Sequence, residues 1–292
     1  MEKLIVKNFA GLKSVELEIR PITGFIGPQA SGKSIIAKLL YFFREIGSRL
    51  PSAVLKGQDG AQYKAECRKR FSRYFPIESA GAPHSAITYL NRRQEVRLSF
   101  APQNGGGHSS HRLEWSSFYE TALDSFGHRK KELLVSLGGT NNDAIGAATR
   151  TLLEELAREM ESALGPWADF DQIFIPAGRS FFSQLQGTFF MQLQEGEIFD
   201  PFIISFGSLL EKINSSLESN GFLDTTSGEL ATPETLGETL EEILHARFRR
   251  IEKQDFLEFP DGRRVKLGQA SSGQQEAWPL LKLLVECVLI AP

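Results

Sequence analysis

The chain has 292 residues, of which 41% are hydrophobic and 24% charged. That is enough apolar material for one large domain or two ordinary ones, and it excludes a disulfide-stapled miniprotein, a collagenous repeat or a largely disordered chain. Lys and Arg total 33 against 36 Asp and Glu, a formal net charge of −3, so no global field holds a polyanion and any nucleic-acid contact has to come from a local patch.

Apolar residues alternate at the start of the chain. Leu4, Val6 and Phe9 form one run and Val15, Leu17 and Ile19 a second, with a turn at Gly11, which predicts an opening β-hairpin. A third apolar run, Ile22 to Ile26, reads as a short strand entering a glycine-containing loop. Beyond it Ile35, Ile36, Leu39, Leu40 and Phe43 recur at helical spacing. The stretch from Pro51 to Arg73 is polar and helical, 86–90 and 95–100 carry the pattern of a second hairpin, and Gln103 to Ser110 reads as a flexible loop.

Asn141 to Leu164 is predicted as an amphipathic helix with Leu152, Leu153, Leu156 and Met160 in its stripe, stopped by Gly165 and Pro166. Ile173 to Ile175 reads as a buried strand running into Pro176-Ala177-Gly178-Arg179. Helical patterns follow near 180–194, 201–218 and 234–249. Phe256 to Phe259 and Arg263 to Leu267, joined by Pro260-Asp261-Gly262, predict a hairpin, and a final helix starts near Ser272. Neither solenoid repeats nor sustained heptads are present in the sequence.

Gly27-Pro28-Gln29-Ala30-Ser31-Gly32-Lys33-Ser34 fits the pattern GxxxxGK followed by Ser or Thr. Glycines let the backbone wrap a polyphosphate, and the amides at the start of the following helix point at its oxygens. Lys33 is expected to reach the β- and γ-phosphates and the Ser34 hydroxyl to ligate Mg²⁺. The expected ligands are ATP and Mg²⁺; the guanine-reading NKxD pattern is missing, Glu252-Lys253-Gln254-Asp255 being only a loose echo, so ATP is favoured over GTP.

Far downstream stands Leu267-Gly268-Gln269-Ala270-Ser271-Ser272-Gly273-Gln274-Gln275-Glu276. Taken together, the hairpin VKNFAGLKSVELEI, the phosphate loop one strand later and ASSGQQ opening a late helix resemble the ABC-type ATPase heads of the SMC, RecF and OLD-like group. The resemblance implies an α/β P-loop NTPase with a mixed sheet, an N-terminal antiparallel β lobe and a helical insertion. It implies residues 1–292 as a single ABC-type domain lacking its C-terminal end, with 102–250 as the mainly helical insertion. It also implies that Ser271, Ser272, Gly273 and Gln274, the counterpart of LSGGQ, meet the γ-phosphate of ATP bound on a partner subunit. Ala270 and Ser272 depart from the ideal Leu and first Gly. Read alone, the same residues form a serine-capped helix start.

Further parts carried over by resemblance are Gln94 or Gln103 as the Q-loop glutamine, Asn8 and Phe9 as support of the nucleotide edge of the sheet, and Arg179, in a PAxR element of OLD-like and defence-associated ATPases, as a phosphate or interface sensor. The family's Walker B strand, which ends in two carboxylates, finds no match. Leu283-Leu284-Val285-Glu286 is the nearest string, and the expectation is a truncated chain. The function this implies is an ATP-driven head-to-tail homodimer that switches a DNA-acting or defence effector, such as a nuclease or toxin. The alternative is a nucleotide-binding regulatory scaffold without appreciable turnover; a P-loop kinase is a third reading, opposed by the signature.

Weaker signals include Arg68-Lys69-Arg70-Phe71-Ser72-Arg73-Tyr74-Phe75, suited either to phosphate contact with base stacking or to a solvated helix ending in core aromatics. Arg247, Arg249, Arg250, Arg263, Arg264 and Lys266 make a second basic neighbourhood. His108 and His111 are a poor metal site without a third ligand. Cys67 and Cys287 suggest neither a disulfide framework nor a zinc cluster, and Cys67, amid cations, is a candidate for a lowered pKa. The N-terminus lacks a signal-peptide pattern, and the apolar stretch Pro279 to Pro292 is interrupted by Lys282 and Glu286, so a cytoplasmic protein without membrane insertion is expected.

Overall fold

The computed structural model describes residues 1–76, 81–101, 110–137, 142–166, 168, 170, 172–184, 200–222, 230 and 232–289. The chain divides into two compact units, Met1–Ile173 and Phe174–Pro292.

The first unit is built on a five-stranded sheet of order β2-β1-β3-β4-β5, from strands β1 (Glu2–Phe9), β2 (Leu12–Ile19), β3 (Gly81–Asn91), β4 (Gln94–Ala101) and β5 (Ser110–Trp115). Every pairing in it is antiparallel. Alternation sends Leu4, Val6, Phe9, Ile87, Tyr89, Val96, Leu98, Phe100 and Leu113 to the buried face. The opposite face carries Lys7, Arg97, Arg112 and Glu114 into solvent.

Helices α1 (Lys33–Ser48), α2 (Leu50–Lys56), α3 (Gly60–Tyr74), α4 (Ser117–Ser136) and α5 (Asn142–Leu164) supply the rest of this core. The polar helical stretch predicted from Pro51 to Arg73 breaks in two because Gly57 takes a left-handed C-cap and Asp59 opens a capping box with Gln62. Phe9 packs against Phe71, Phe75 and Phe100, so it belongs to the core. Asn8 sits at a bulge with φ 52°, and its carbonyl accepts the Ser85 hydroxyl.

Two predicted strands are absent from the ladders. Ile22 to Ile26 is irregular, with Ile22 94% and Ile26 101% exposed, and Ile173 to Ile175 is likewise irregular, at 46% and 42% for its isoleucines. An apolar run becomes a strand only where a neighbour satisfies its amides and carbonyls, and none of the described strands does so here. The parallel part of the expected mixed sheet is accordingly missing among the described strands.

The second unit contains α6 (Ser180–Gln184), α7 (Pro201–Ser219) and α8 (Glu234–Leu244), then β6 (Arg247–Ile251), β7 (Gln254–Glu258) and β8 (Arg264–Lys266), a 3-10 turn at Leu267–Gln269, and α9 (Ser272–Leu289). The helix predicted over 234–249 stops at Leu244, because His245 turns left-handed with φ 52°. Arg247–Ile251 is instead an edge strand of an antiparallel sheet ordered β6-β7-β8. Phe206, Leu210, Ile213, Leu240, Leu257, Trp278, Leu281 and Val285 form its core. Only 180–184 of the helix expected at 180–194 falls within the described residues.

Candidate functional site

The predicted phosphate loop joins the exposed segment after β2 to α1. Ala30 and Gly32 both adopt left-handed backbone, φ 62° and 88°, and Gly32 caps the helix by accepting the Ile36 amide at 3.0 Å. An alanine in that conformation is strained, and such strain concentrates where the backbone is shaped for a ligand. Gly32 lies tightly over the start of β2: a Cβ there would stand 2.5 Å from Leu12 Cδ2. The conformation therefore favours glycine at this position, and a β-carbon there would also require Leu12 to shift.

Lys33 folds back across the loop. Its ammonium donates to the carbonyls of Gly27 at 2.8 Å and Pro28 at 2.5 Å, and to Ser31 Oγ at 3.2 Å, so three protons meet three acceptors. Ser34 is exposed one residue further on. The first turn of α1 carries no acidic side chain, which leaves its amides and positive dipole end open to an anion. Ile36, Leu39, Phe42, Phe43 and Ile46 bury the helix and fix the loop to the core.

The predicted signature turn lies in the second unit. Ser271 and Gln274 engage each other: the Ser271 amide and hydroxyl donate to Gln274 Oε1 at 3.1 and 2.9 Å, and the Gln274 amide returns to Ser271 Oγ at 3.4 Å. Gln274 Nε2 also donates to the Leu244 carbonyl at 2.6 Å. This reciprocal arrangement is a capping box. It leaves Ser272 and Gly273 exposed at the helix start.

Behind that turn Asp255 is buried with its carboxylate on Lys282 Nζ at 2.6 Å, Arg250 at 2.5 Å and Trp278 Nε1 at 3.3 Å. Burial alone would raise the Asp255 carboxyl pKa; the two cations outweigh it and hold it below the usual range. Phe248 stacks on Trp278 at 3.9 Å. Nothing in the local pattern of the sequence marks this network, because its members come from β6, β7 and α9.

Other expectations fare differently. Gln94 pairs with Asn91, and Asn91 with Glu2, at the end of the sheet opposite Phe9, Leu12 and Gly32, so it is not placed to serve the phosphate loop. Gln103 and His108 lie outside the described residues. His111 rests on Phe71 and Phe100 with Nε2 at 3.3 Å from the Arg68 carbonyl, burial lowering its pKa, and no metal-holding cluster exists among the described residues.

Phe71 and Phe75 are buried, and Tyr74 donates to the buried Glu45 at 3.0 Å, which removes the stacking surface expected from 68–75. Arg247, Arg249, Arg250, Arg263 and Arg264 are each paired with a carboxylate, so the second basic neighbourhood is largely neutralised. Cys67, far from having a lowered pKa, is pushed up to about 12 by burial. Arg179 is held on Glu276 and the Pro176 carbonyl.

A cavity of about 340 Å³ opens near Glu2, Arg20, Arg44 and Arg92. Arg44 is bidentate on Glu2 and Arg92 donates to the carbonyls of Glu161 and Ser162, so two of its three guanidinium groups are occupied by the fold. Arg44 is also about 16 Å along α1 from the phosphate loop. Left-handed backbone, an open helix start and a lysine ammonium coincide instead at Gly27–Ser34.

Residues 1–104 match the family model of the AAA ATPase domain. The match covers the opening hairpin, the phosphate loop, α1 to α3, β3 and β4. It supports an AAA-type P-loop ATPase, with the nucleotide-binding and hydrolysing function and the mixed α/β architecture of that class. None of the curated proteins matches the chain. Among the described residues no helix is long and apolar enough to cross a membrane.

Proposed function

We propose that this chain is an ABC-type ATPase head that binds Mg²⁺-ATP at Gly27–Ser34 and pairs head to tail with a second copy. The observation that carries the reading is the Lys33 ammonium spanning the loop. A triphosphate offers the same three protons anionic acceptors in place of neutral ones, and charge-assisted hydrogen bonds are the stronger kind. Pro28, Gln29, Ala30 and Ser31 contribute backbone to the cradle, Gly27 and Gly32 permit its curvature, and Ser34 ligates the magnesium.

In this reading Ser272 and Gly273 of the second copy offer hydroxyl, amides and helix dipole to the γ-phosphate, while Ser271 and Gln274 hold the turn in shape. Residues 102–250 act as the mainly helical insertion of this head, with β5 returned to the sheet of the first unit. Pairing on ATP and reopening on hydrolysis switch a DNA-acting or defence effector, a nuclease or toxin, in a cytoplasmic setting.

The second reading is a regulatory scaffold that pairs on nucleotide with little turnover. Leu283–Glu286, the string within these residues nearest to a Walker B strand, is helical and carries one carboxylate. Titration calorimetry with Mg²⁺-ATP tests the common core of both: binding by the native chain, and at least a roughly hundredfold loss, about 2.7 kcal/mol, in Lys33→Ala. Equal affinity of the two overturns the proposal. Phosphate release during pairing separates the ATPase from the scaffold.

A further inference from the structure

Proline within a helix has no amide to donate and presses its ring against the carbonyl four residues earlier. Pro279 lies inside α9, so the carbonyl it orphans is that of Gln275. Both residues are buried, away from the solvent that would otherwise supply a donor. The partner comes from 92 residues upstream: the Ser183 hydroxyl, 4% exposed, donates to the Gln275 carbonyl at 2.9 Å.

The next carbonyl is engaged as well. Arg179 Nε donates to the Glu276 carbonyl at 3.2 Å, and its terminal nitrogen stands 3.6 Å from the Glu276 carboxylate. Arg179 and Ser183 flank the start of α6, to which the chain turns at Gly178 with φ +69°. On the far side of Pro279, Lys282 is bound to Asp255. Pro279 thus divides α9 into a C-terminal half held on β7 through Lys282 and a short N-terminal half, Ser272 to Trp278, that α6 holds through the Gln275 and Glu276 carbonyls alongside the Trp278–Asp255 and Gln274–Leu244 hydrogen bonds.

We propose that Ser183 and Arg179 are positioning residues through which α6 sets the angle of the Ser272–Gly273 turn at the proline break. The inference rests on the reading of that turn as the γ-phosphate contact. It accounts for what the sequence suggests of Arg179 in a different way: the guanidinium acts on the signature helix and not on phosphate directly.

A mutant cycle on the full chain tests it. Pro279→Ala restores an amide for the Gln275 carbonyl and should make Ser183 dispensable, whereas Ser183→Ala alone leaves that carbonyl unpartnered. Amide exchange across residues 275–282, nucleotide affinity and Mg²⁺-ATP-dependent pairing are measured for each variant. Ser183→Ala is expected to speed exchange and weaken pairing by roughly tenfold with nucleotide affinity unchanged. Ser183→Thr should retain native behaviour, and Ser183→Ala should be silent in the Pro279→Ala background.

Unchanged exchange in Ser183→Ala, or equal damage in both backgrounds, overturns the proposal. Should Ser183→Ala fail to fold, Arg179→Gln at the half-exposed contact gives the same readouts, and unchanged exchange there is again fatal. If the native chain binds ATP without pairing, the γ-phosphate reading fails, and the exchange cycle still decides whether α6 positions the turn.

Discussion

Leu12 Cδ2 occupies the space that a β-carbon on Gly32 would need, leaving 2.5 Å between them. The first residue of β2 thereby acts as the floor of the Gly27–Ser34 loop, and the opening hairpin and that loop are one packing unit. Gly32→Ala combines a left-handed backbone penalty of about 1–2 kcal/mol with overpacking of about 1–3 kcal/mol. The expected outcome is a lowered urea midpoint and loss of ATP binding. Leu12→Ala in the same chain should recover part of the stability without restoring affinity, since the φ of 88° remains unfavourable for alanine.

Ser272→Arg places a bulky cation at the exposed start of α9. The helix dipole disfavours it there by about 0.3–1 kcal/mol, and its length obstructs an approaching copy. Nucleotide affinity of the single chain should stay within about twofold of native, while ATP-dependent pairing in analytical ultracentrifugation is lost. Intact pairing in this variant contradicts the head-to-tail arrangement.

Asp255→Asn strands Lys282 without its buried countercharge, while Arg250 keeps Glu218, and the loss costs about 3–5 kcal/mol. The sign of the pH dependence follows from the depressed carboxyl pKa. An aspartate held below its unfolded value near ~3.9 contributes stability that is complete above that value and is lost as pH falls through the folded one. Urea titrations from neutral pH downward should therefore show a loss of stability below about pH 4 in the native chain that is smaller in Asp255→Asn.

Of the two thiols, Cys67 is buried with its pKa pushed up to about 12, and Cys287 is exposed. Titration with a disulfide reagent near pH 8 should release one equivalent at once and a second only in denaturant. Two fast equivalents would show that α3 opens readily.

The parts of this molecule that were legible in sequence are those fixed by local chemistry. The β1–β2 hairpin follows from the alternation of Leu4, Val6 and Phe9, the phosphate loop from its glycines and lysine, and the start of α9 from Ser271 and Gln274. The misread segments are those whose fate is tertiary. Ile22 to Ile26 has the composition of a strand and lacks a ladder among the described residues. Arg247–Ile251 carries a polar helical pattern until β7 recruits it as an edge. Pro279 is visible as a break, yet nothing in the sequence identifies Ser183 as the donor that satisfies it.

The pairing of β1 with β3 sets Ile5 opposite Thr88. Every other strand contact in that sheet joins neighbours along the chain, so this one long-range match must close a span of about 80 residues at an entropic cost that rises only logarithmically. The glycine-rich turn and α1 lie inside the span. Folding of the Gly27–Ser34 loop is thus coupled to the β1–β3 closure, and contact order, more than local propensity, weighs on the speed at which a newly made chain completes it.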